Sequence, residues 1–205
     1  MYRLLSLLLI SGVFFTQARA QIGDKLIPHM GFVYEIATFS ETGTNPQSDR
    51  TAFYTFNLGT YYSFFHKNDI VSVGIDPSVH FGFNVVGNGY INYMLQVPVF
   101  AMARVGANST IYNQQKIGAG VGVGGIFTNL SEKISPDLRR SSRYINPAVV
   151  AEVTIMSRSG TLTVRGHYAI AEALADQIYK DNDGNITNRL ERSFGGFGAG
   201  LIYGF

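Results

Sequence analysis

Hydrophobic and polar residues alternate with a period of two along most of the chain. The clearest case is residues 70–85, where every odd position from Val71 to Val85 is apolar and every even position from Ser72 to Asn84 is small or polar. Successive side chains of a β-strand point to opposite faces. The segment is therefore predicted to be a strand with one oily face and one polar face, long enough to cross a bilayer while tilted.

Seven other segments repeat this alternation, and none shows a convincing helical period, although residues 169–175 are ambiguous. The eight predicted strands are residues 30–38, 52–64, 70–85, 90–105, 117–127, 144–155, 161–170 and 193–205. Bacterial membrane barrels have an even number of strands, and eight is the smallest usual number. The predicted fold class is thus all-β, an eight-stranded antiparallel up-and-down transmembrane β-barrel.

The connections between these strands are predicted to alternate between short and long. Residues 65–69, 106–114 and 157–160 would form inner, periplasmic turns. Residues 40–51, 86–89, 129–142 and 172–192 would form outer loops, three of which are long. Short inner turns and longer outer loops are typical of outer-membrane barrels.

The first 20 residues have the three parts of a secretory signal. Arg3 supplies the positive charge, residues 4–15 are almost entirely apolar, and Ala18-Arg19-Ala20 resembles a cleavage site. We expect cleavage after Ala20, which leaves residues 21–205 as one barrel domain. The apolar run is too short to favour the alternative, a transmembrane anchor.

Composition adds few constraints beyond these. The chain of 205 residues has no Cys, which excludes disulfides, thiolate metal sites and cysteine nucleophiles. Arg3 and Arg19 are the only cations of the signal segment, so the rest of the chain carries 14 basic residues against 14 acidic ones. This balance gives no reason to expect a nucleic-acid partner.

The inward face of the predicted barrel holds a nearly balanced set of charges. Charges in so narrow an interior must pair, so we expect a salt-bridged cluster that closes the lumen. The alternative is a narrow gated pore or a proton-sensitive site that uses His80 and His167. The inward glycines of the fifth and eighth strands would leave room for Phe100, Met102 and Tyr144. The predicted lumen polar cluster is Glu35, Asp76, His80, Arg104, Glu152, Arg165 and His167.

Three segments resemble PorT-like outer-membrane β-barrel proteins. Residues 93–100, YMLQVPVF, are similar to the family's YLEIPVLL strand, with Gln96 in place of Glu; residues 116–122, KIGAGVG, are similar to its PYLGAGLG strand. The chain also ends in GLIYGF, and Leu201, Tyr203 and Phe205 resemble the signal that the barrel assembly machinery recognises. The resemblance implies a bacterial outer-membrane location in a Gram-negative cell envelope, and a role in a secretion or surface complex.

Several motifs that suggest other chemistry lack the context it needs. Residues 120–125 match G-x-G-x-x-G but continue as a strand, so no cofactor is predicted. Residues 181–185, DNDGN, resemble the start of a calcium loop without its final Glu and are predicted to form a tight turn, with weak cation binding as the alternative. The spacing of the four histidines does not suggest a zinc site, so no metal is predicted.

The predicted function is a non-enzymatic outer-membrane barrel with a structural, adhesive or secretion-complex role. A lipid-modifying barrel enzyme resembling lipid A deacylases is the alternative, with Ser78, His80 and Asp76 as its inward-facing Ser–His–acid set. A soluble lipocalin-like barrel would instead place oily residues inside. Outer-membrane lipid is an expected partner, with Arg139, Arg140 and Arg143 as contacts for lipopolysaccharide phosphates.

Overall fold

The strands of the chain form a closed antiparallel ring. The structure is a computed structural model that describes residues 25–41, 48–85 and 89–205. Its strands are β1 (Leu26–Glu41), β2 (Ser48–Lys67), β3 (Val71–Val85), β4 (Ile91–Gly106), β5 (Ile117–Ser135), β6 (Leu138–Ser157), β7 (Gly160–Ala169), β8 (Ala173–Lys180) and β9 (Ile186–Gly204). Each strand pairs with its neighbours, and pairing of β1 with β9, from His29 opposite Gly204 to Glu41 opposite Arg192, closes the ring. The all-β barrel prediction is confirmed.

The nine strands occupy eight positions around the barrel. Both β7 and β8 lie between β6 and β9, β7 along one half of that position and β8 along the other. A break at residues 170–172 separates them. The ambiguous segment 169–175 therefore contains a strand break and no helix.

Three predicted outer loops are wrong in part. In the first, residues 40–51, β1 continues to Glu41 and β2 begins at Ser48. Residues 129–142 continue β5 and β6 as a paired ladder that turns only at residues 136–137. Residues 172–192 contain β8 and the beginning of β9. We call the end of the barrel with these two extensions the hairpin end. The predicted signal segment and parts of the predicted loops 40–51 and 86–89 lie outside the described residues.

The opposite end, which we call the turn end, carries short connections and the C terminus. Asn68 and Asp69 both have positive φ angles, 50° and 55°, as a two-residue hairpin turn requires. The longer turn of residues 107–116 folds back across the turn end of the barrel. Ser109 Oγ and Asn113 Nδ2 donate to the Asp69 carbonyl oxygen at 2.8 and 2.5 Å. Ile111 packs against the inward apolar side chains, so this turn covers part of the lumen.

The faces of the strands follow the predicted alternation. Outward side chains are mostly apolar along the middle of the long strands, as in Phe32 (72% exposed), Val121 (63%) and Ile145 (65%), and they become polar or charged toward the hairpin end. Inward side chains include charged, polar and apolar groups, and all are packed within the ring. On β5 the outward apolar run from Ile117 to Phe127 is about 33 Å long, or about 25 Å high at the tilt of ~40° usual for barrels. That height matches the apolar band of an outer-membrane barrel.

Candidate functional site: a charged cluster that fills the lumen

The structure places all seven predicted lumen residues inside the ring. None is more than 7% exposed. The inward parity of β1, β3, β4, β6 and β7 brings them together, because each lies on the polar face of its own alternation. They form two groups, each organised around carboxylates.

The first group, the Arg–carboxylate cluster, comprises Asp76, Arg104, Glu152 and Arg165. Glu152 accepts hydrogen bonds from Arg104 Nε at 2.5 Å and from Arg165 Nη2 and Nε at 2.6 and 2.8 Å. Asp76 accepts from Arg104 Nη2 at 2.8 Å and Arg165 Nη2 at 2.7 Å. Each arginine therefore bridges both carboxylates. Two positive and two negative charges cancel, which offsets the large desolvation cost of burying them.

This cluster spans the whole width of the barrel. Asp76 lies on β3 and Arg165 on β7, and these strands are four positions apart in a ring of eight. Strands so placed face each other across the lumen, and their side chains are nevertheless in contact. The cluster therefore occludes the lumen at this level.

Two further residues complete the Arg–carboxylate cluster, and the sequence analysis did not include them. His29 Nε2 donates to Asp76 Oδ1 at 2.9 Å. The Arg104 guanidinium lies 3.9 Å from the centre of the Tyr61 ring, and the Tyr61 hydroxyl contacts Ser72 Oγ at 2.9 Å. His29 shares the inward parity of Glu35, so extending the predicted first strand by one residue would have found it.

The second group, the Glu35–histidine cluster, is Glu35 held between His80 and His167. Glu35 Oε1 is 3.0 Å from His80 Nδ1, and Oε2 is 2.9 Å from His167 Nε2. An ionised carboxylate only accepts hydrogen bonds, so both of these ring nitrogens carry protons. His80 Nε2 lies 3.3 Å from Ser78 Oγ, and the Ser78 hydroxyl can donate to it when the ring is neutral.

Inward glycines create the space that both clusters occupy. A Cβ added to Gly120 would come within 2.8 Å of Glu152 Oε1 and 3.1 Å of Arg104 Cγ. One added to Gly198 would overlap the Glu35 carboxylate and the His167 ring. Gly122 makes room for Met102 as expected, but the space for charged side chains was not anticipated.

The lumen beside the Glu35–histidine cluster is tightly packed. A cavity of about 20 Å³ borders Glu35, Gln96 and His167, which is room for about one water molecule. In the described part of the chain, no group of three or more His, Asp or Glu side chains is arranged to hold a metal ion. Nor does any helix of the described residues have the length and apolar character to span a membrane.

The Ser–His–acid arrangement differs from the one considered from sequence. Asp76 pairs with His29 and the two arginines, whereas Glu35 is the carboxylate that contacts His80. Ser78 is 4% exposed and faces the filled lumen. Lipid outside the barrel has no contact with this serine, so the arrangement fits a structural hydrogen-bond chain.

The three arginines at the hairpin end divide between the two faces of β6. Arg139 and Arg143 are exposed on the outward face. Arg140 faces the lumen instead, where its Nε donates to Glu132 at 2.6 Å and its guanidinium lies 4.8 Å from the Phe39 ring centre. The expectation that Arg140 contacts lipid is therefore wrong, because inward and outward positions still alternate in this extension.

The C-terminal residues lie on the outer surface of β9. Leu201 is 55% exposed and Phe205 39% exposed. The rings of Tyr203 and Phe205 stack with centroids 6.2 Å apart, and the Tyr203 hydroxyl donates to the Ser159 carbonyl oxygen. These side chains thus line the exterior of the turn end.

No family model matches the chain. No curated protein matches it either. Among solved structures, it is similar to neisserial surface protein A, with 12% identity and a TM-score of 0.41 over 87% of this chain and 97% of that one. It is also similar to Ail of Yersinia pestis, solved with the heparin analogue sucrose octasulfate, with 14% identity and a TM-score of 0.36 over 87% of this chain and 99% of that one. The outer membrane protease OmpT of Escherichia coli is similar with 8% identity and a TM-score of 0.35 over 89% of this chain and 97% of that one.

These identities and TM-scores transfer no activity or ligand to this chain. The PorT-like resemblance stays a prediction that rests on its sequence segments.

Proposed function

We propose that the chain is a non-enzymatic integral protein of the bacterial outer membrane, whose sealed barrel anchors a structural, adhesive or secretion-complex role. The observation that carries this proposal is the Asp76–Arg165 contact, which joins opposite walls of the lumen at 2.7 Å. A channel needs an open path at every level, and this level is closed by paired charges. The covering turn of residues 107–116 adds a second barrier at the turn end.

The exterior supports the membrane location. A lipocalin-like barrel in water would be oily inside and polar outside, whereas Phe32, Val121 and Ile145 lie outside this barrel and ionised side chains lie inside it. Closure of the ring satisfies backbone hydrogen bonds without an open sheet edge, as lipid requires. We infer export by the segment of residues 1–20 and an orientation with the hairpin end outside the cell.

The sealed lumen is tested by conductance. Residues 21–205 are refolded, inserted into planar lipid bilayers and compared with Glu172→Gln, a control variant at an exposed position of the break between β7 and β8. We expect no discrete conductance steps from either protein. Stable open channels from the wild-type chain would refute the sealed-anchor proposal.

The absence of enzymatic activity is tested on lipid A. Ser78→Ala and His80→Ala are compared with His66→Ala, whose side chain is exposed. Mass spectrometry of lipid A from cells that express each variant should give the same profile as the wild type. A modification that disappears with Ser78→Ala and His80→Ala but persists with His66→Ala would instead establish the lipid-modifying alternative.

We further propose that Leu201, Tyr203 and Phe205 act as an assembly signal for the barrel assembly machinery. Their support is the outward position of Leu201 and Phe205 on the closing strand. Phe205→Ala should reduce insertion in cells while spontaneous refolding into lipid vesicles proceeds as for the wild type. Equal loss in both settings would mean that Phe205 serves stability alone.

The partner of a secretion or surface complex would bind at the hairpin end, where β5–β6 and β8–β9 extend furthest from the charged clusters. A tagged native chain is cross-linked in cells and purified beside a variant with residues 136–137 and 181–185 replaced by other two- and five-residue turns. A partner recovered with both proteins equally would argue against this location.

A further inference from the structure

The outward face of the hairpin end carries four cations on three adjacent strands. Lys133 on β5 lies directly opposite Arg139 on β6, and Arg139 lies directly opposite Lys180 on β8. Neighbouring strands are about 4.8 Å apart, so the three backbones form one row. Arg143 lies on the same face of β6, four residues nearer the apolar belt. We call Lys133, Arg139, Arg143 and Lys180 the hairpin basic face.

This row exists only because β8 takes the position of β7 beyond the break at residues 170–172. In that position β8 pairs with β6 through Arg139–Ser142 and Gln177–Lys180. Had residues 172–192 been a free loop, Lys180 would have no fixed place beside Arg139. The pairing therefore turns separate surface charges into a defined cluster.

The four cations have no ion-pair partner among the described residues. The Nζ of Lys133 lies 5.2 Å from the centroid of the Tyr90 ring, and its backbone N–H donates to Asn92 Oδ1 at 2.9 Å. Like charges directly opposite one another destabilise a sheet. An external anion would relieve that repulsion.

The nearby carboxylates are occupied elsewhere. Asp137 accepts a hydrogen bond from Asn182 Nδ2 at 2.8 Å, and Asp181 accepts one from the Asn185 backbone at 2.8 Å. Asp176 lies on the outward face of β8 itself, and its carboxylate pairs with Arg189 on β9 at 3.4 Å. These acids hold turns and a neighbouring strand in place, which leaves the hairpin basic face positive.

The position of this face relative to the apolar belt indicates the anion. Ile145 is 65% exposed and belongs to the belt, and Arg143 is the next outward residue toward the hairpin end. Arg143 therefore lies at the membrane surface, and the Lys133–Arg139–Lys180 row lies about 13 Å further along the strand. A phosphorylated glycolipid presents anionic groups over this range, first at its lipid head and then on its sugars.

We propose that the hairpin basic face binds the phosphate groups of lipopolysaccharide in the surrounding outer leaflet. Arg143 contacts the phosphates at the membrane surface, and the Lys133–Arg139–Lys180 row contacts phosphates on the sugars above. Ser141 lies between Arg139 and Arg143 on the same face and supplies a hydroxyl donor. The proposal rests on the proposed outer-membrane location.

The test compares two variants that remove equal charge. The first replaces Lys133, Arg139, Arg143 and Lys180 with Gln. The control replaces four exposed cations at the turn end with Gln: Lys25, Lys67, Lys116 and Arg158. Both are folded in detergent beside the wild type, and an unboiled gel confirms that each forms the barrel. Binding is measured by native mass spectrometry with purified lipopolysaccharide, with the same lipid stripped of its phosphates, and with inorganic phosphate.

Each lysine or arginine near an anionic lipid surface contributes about fivefold to affinity. The first variant should therefore bind lipopolysaccharide at least about a hundredfold more weakly than the wild type, and the control less than about fivefold more weakly. Phosphate-stripped lipid should bind the wild type as weakly as intact lipid binds the first variant.

Equal binding by both variants, or equal binding of intact and stripped lipid, would overturn the proposal. Saturation by inorganic phosphate at the lipid's own concentration would overturn the choice of lipid as the ligand. Failure of the wild type to form a barrel in the gel would count against the proposed membrane function itself, and so is distinguishable from loss of binding alone.

Discussion

Removing the charge of Glu152 should destabilise the barrel more than any substitution on its surface. Glu152 accepts three short hydrogen bonds, at 2.5, 2.6 and 2.8 Å, from two guanidinium groups. Glu152→Gln removes one negative charge and turns an NH₂ donor toward those guanidiniums. One positive charge is then left without a partner in the lumen, which costs about 3–5 kcal/mol in buried ion pairs. We expect the free energy of unfolding to fall by that amount.

The assay is urea unfolding of residues 21–205 in lipid vesicles, with folded and unfolded fractions read from unboiled gels. Glu172→Gln is the matched control, since this side chain is exposed, and it should change the free energy of unfolding by less than about 0.5 kcal/mol. Combining Glu152→Gln with Arg165→Met leaves Asp76 with Arg104 and His29 as its partners and restores the balance of one arginine to one carboxylate. The double variant should therefore lose less stability than the sum of the two single variants, by at least about 1 kcal/mol.

Two results would refute this reasoning. A loss below about 1 kcal/mol for Glu152→Gln would mean that water or rearrangement compensates the remaining charge. Strict additivity in the double variant would mean that Glu152 and Arg165 do not act as a pair.

Three further substitutions test other parts of the lumen. The Cβ of Gly198→Ala would overlap the Glu35 carboxylate, so this variant should lose about 1–3 kcal/mol of unfolding free energy in the same urea assay. The Cβ of the control Gly166→Ala would meet nothing nearer than 3.8 Å, and this variant should be tolerated. Equal losses in the two variants would contradict the conclusion that Gly198 makes room for Glu35. Asn113→Ala removes the 2.5 Å hydrogen bond from Asn113 to the Asp69 carbonyl oxygen and should speed protease cleavage within the turn of residues 107–116. An unchanged cleavage rate would mean that this hydrogen bond does not hold the turn in place. Tyr61→Leu removes the ring stacked 3.9 Å from a guanidinium and should cost about 2 kcal/mol by urea unfolding, with no loss meaning that the stacking contributes nothing.

The half of the barrel with the apolar exterior was predictable because its side chains alternate strictly between apolar outward and other inward positions. Outward positions such as Val121 and Val123 must be apolar, so every neighbour in between is assigned to the lumen. That parity alone placed Glu35, Asp76 and Arg165 in one interior.

The hairpin end was less predictable because its exterior is polar. In residues 129–135 both faces carry polar side chains, such as Glu132 inward and Lys133 outward, so the period of two disappears although the strand continues. The same loss of pattern concealed β8 and the inward position of Arg140.

The pairing of charges also could not be derived from one sequence. Which carboxylate meets which base depends on the stagger between strands, and this is set by the ring as a whole. Asp76 and His80 lie four residues apart on one strand, yet Asp76 contacts His29 on β1 while His80 contacts Glu35. The alternation of side chains predicts which residues face the lumen, and the stagger between strands determines which of them are in contact.

Migration on an unboiled gel tests the central claim most directly, namely that residues 21–205 close into a stable barrel in lipid. The chain is refolded into lipid vesicles, and one half of the sample is boiled before electrophoresis. We expect a compact, protease-resistant band in the unboiled half that shifts to the position of the unfolded chain after boiling. Identical migration of the two halves would contradict it.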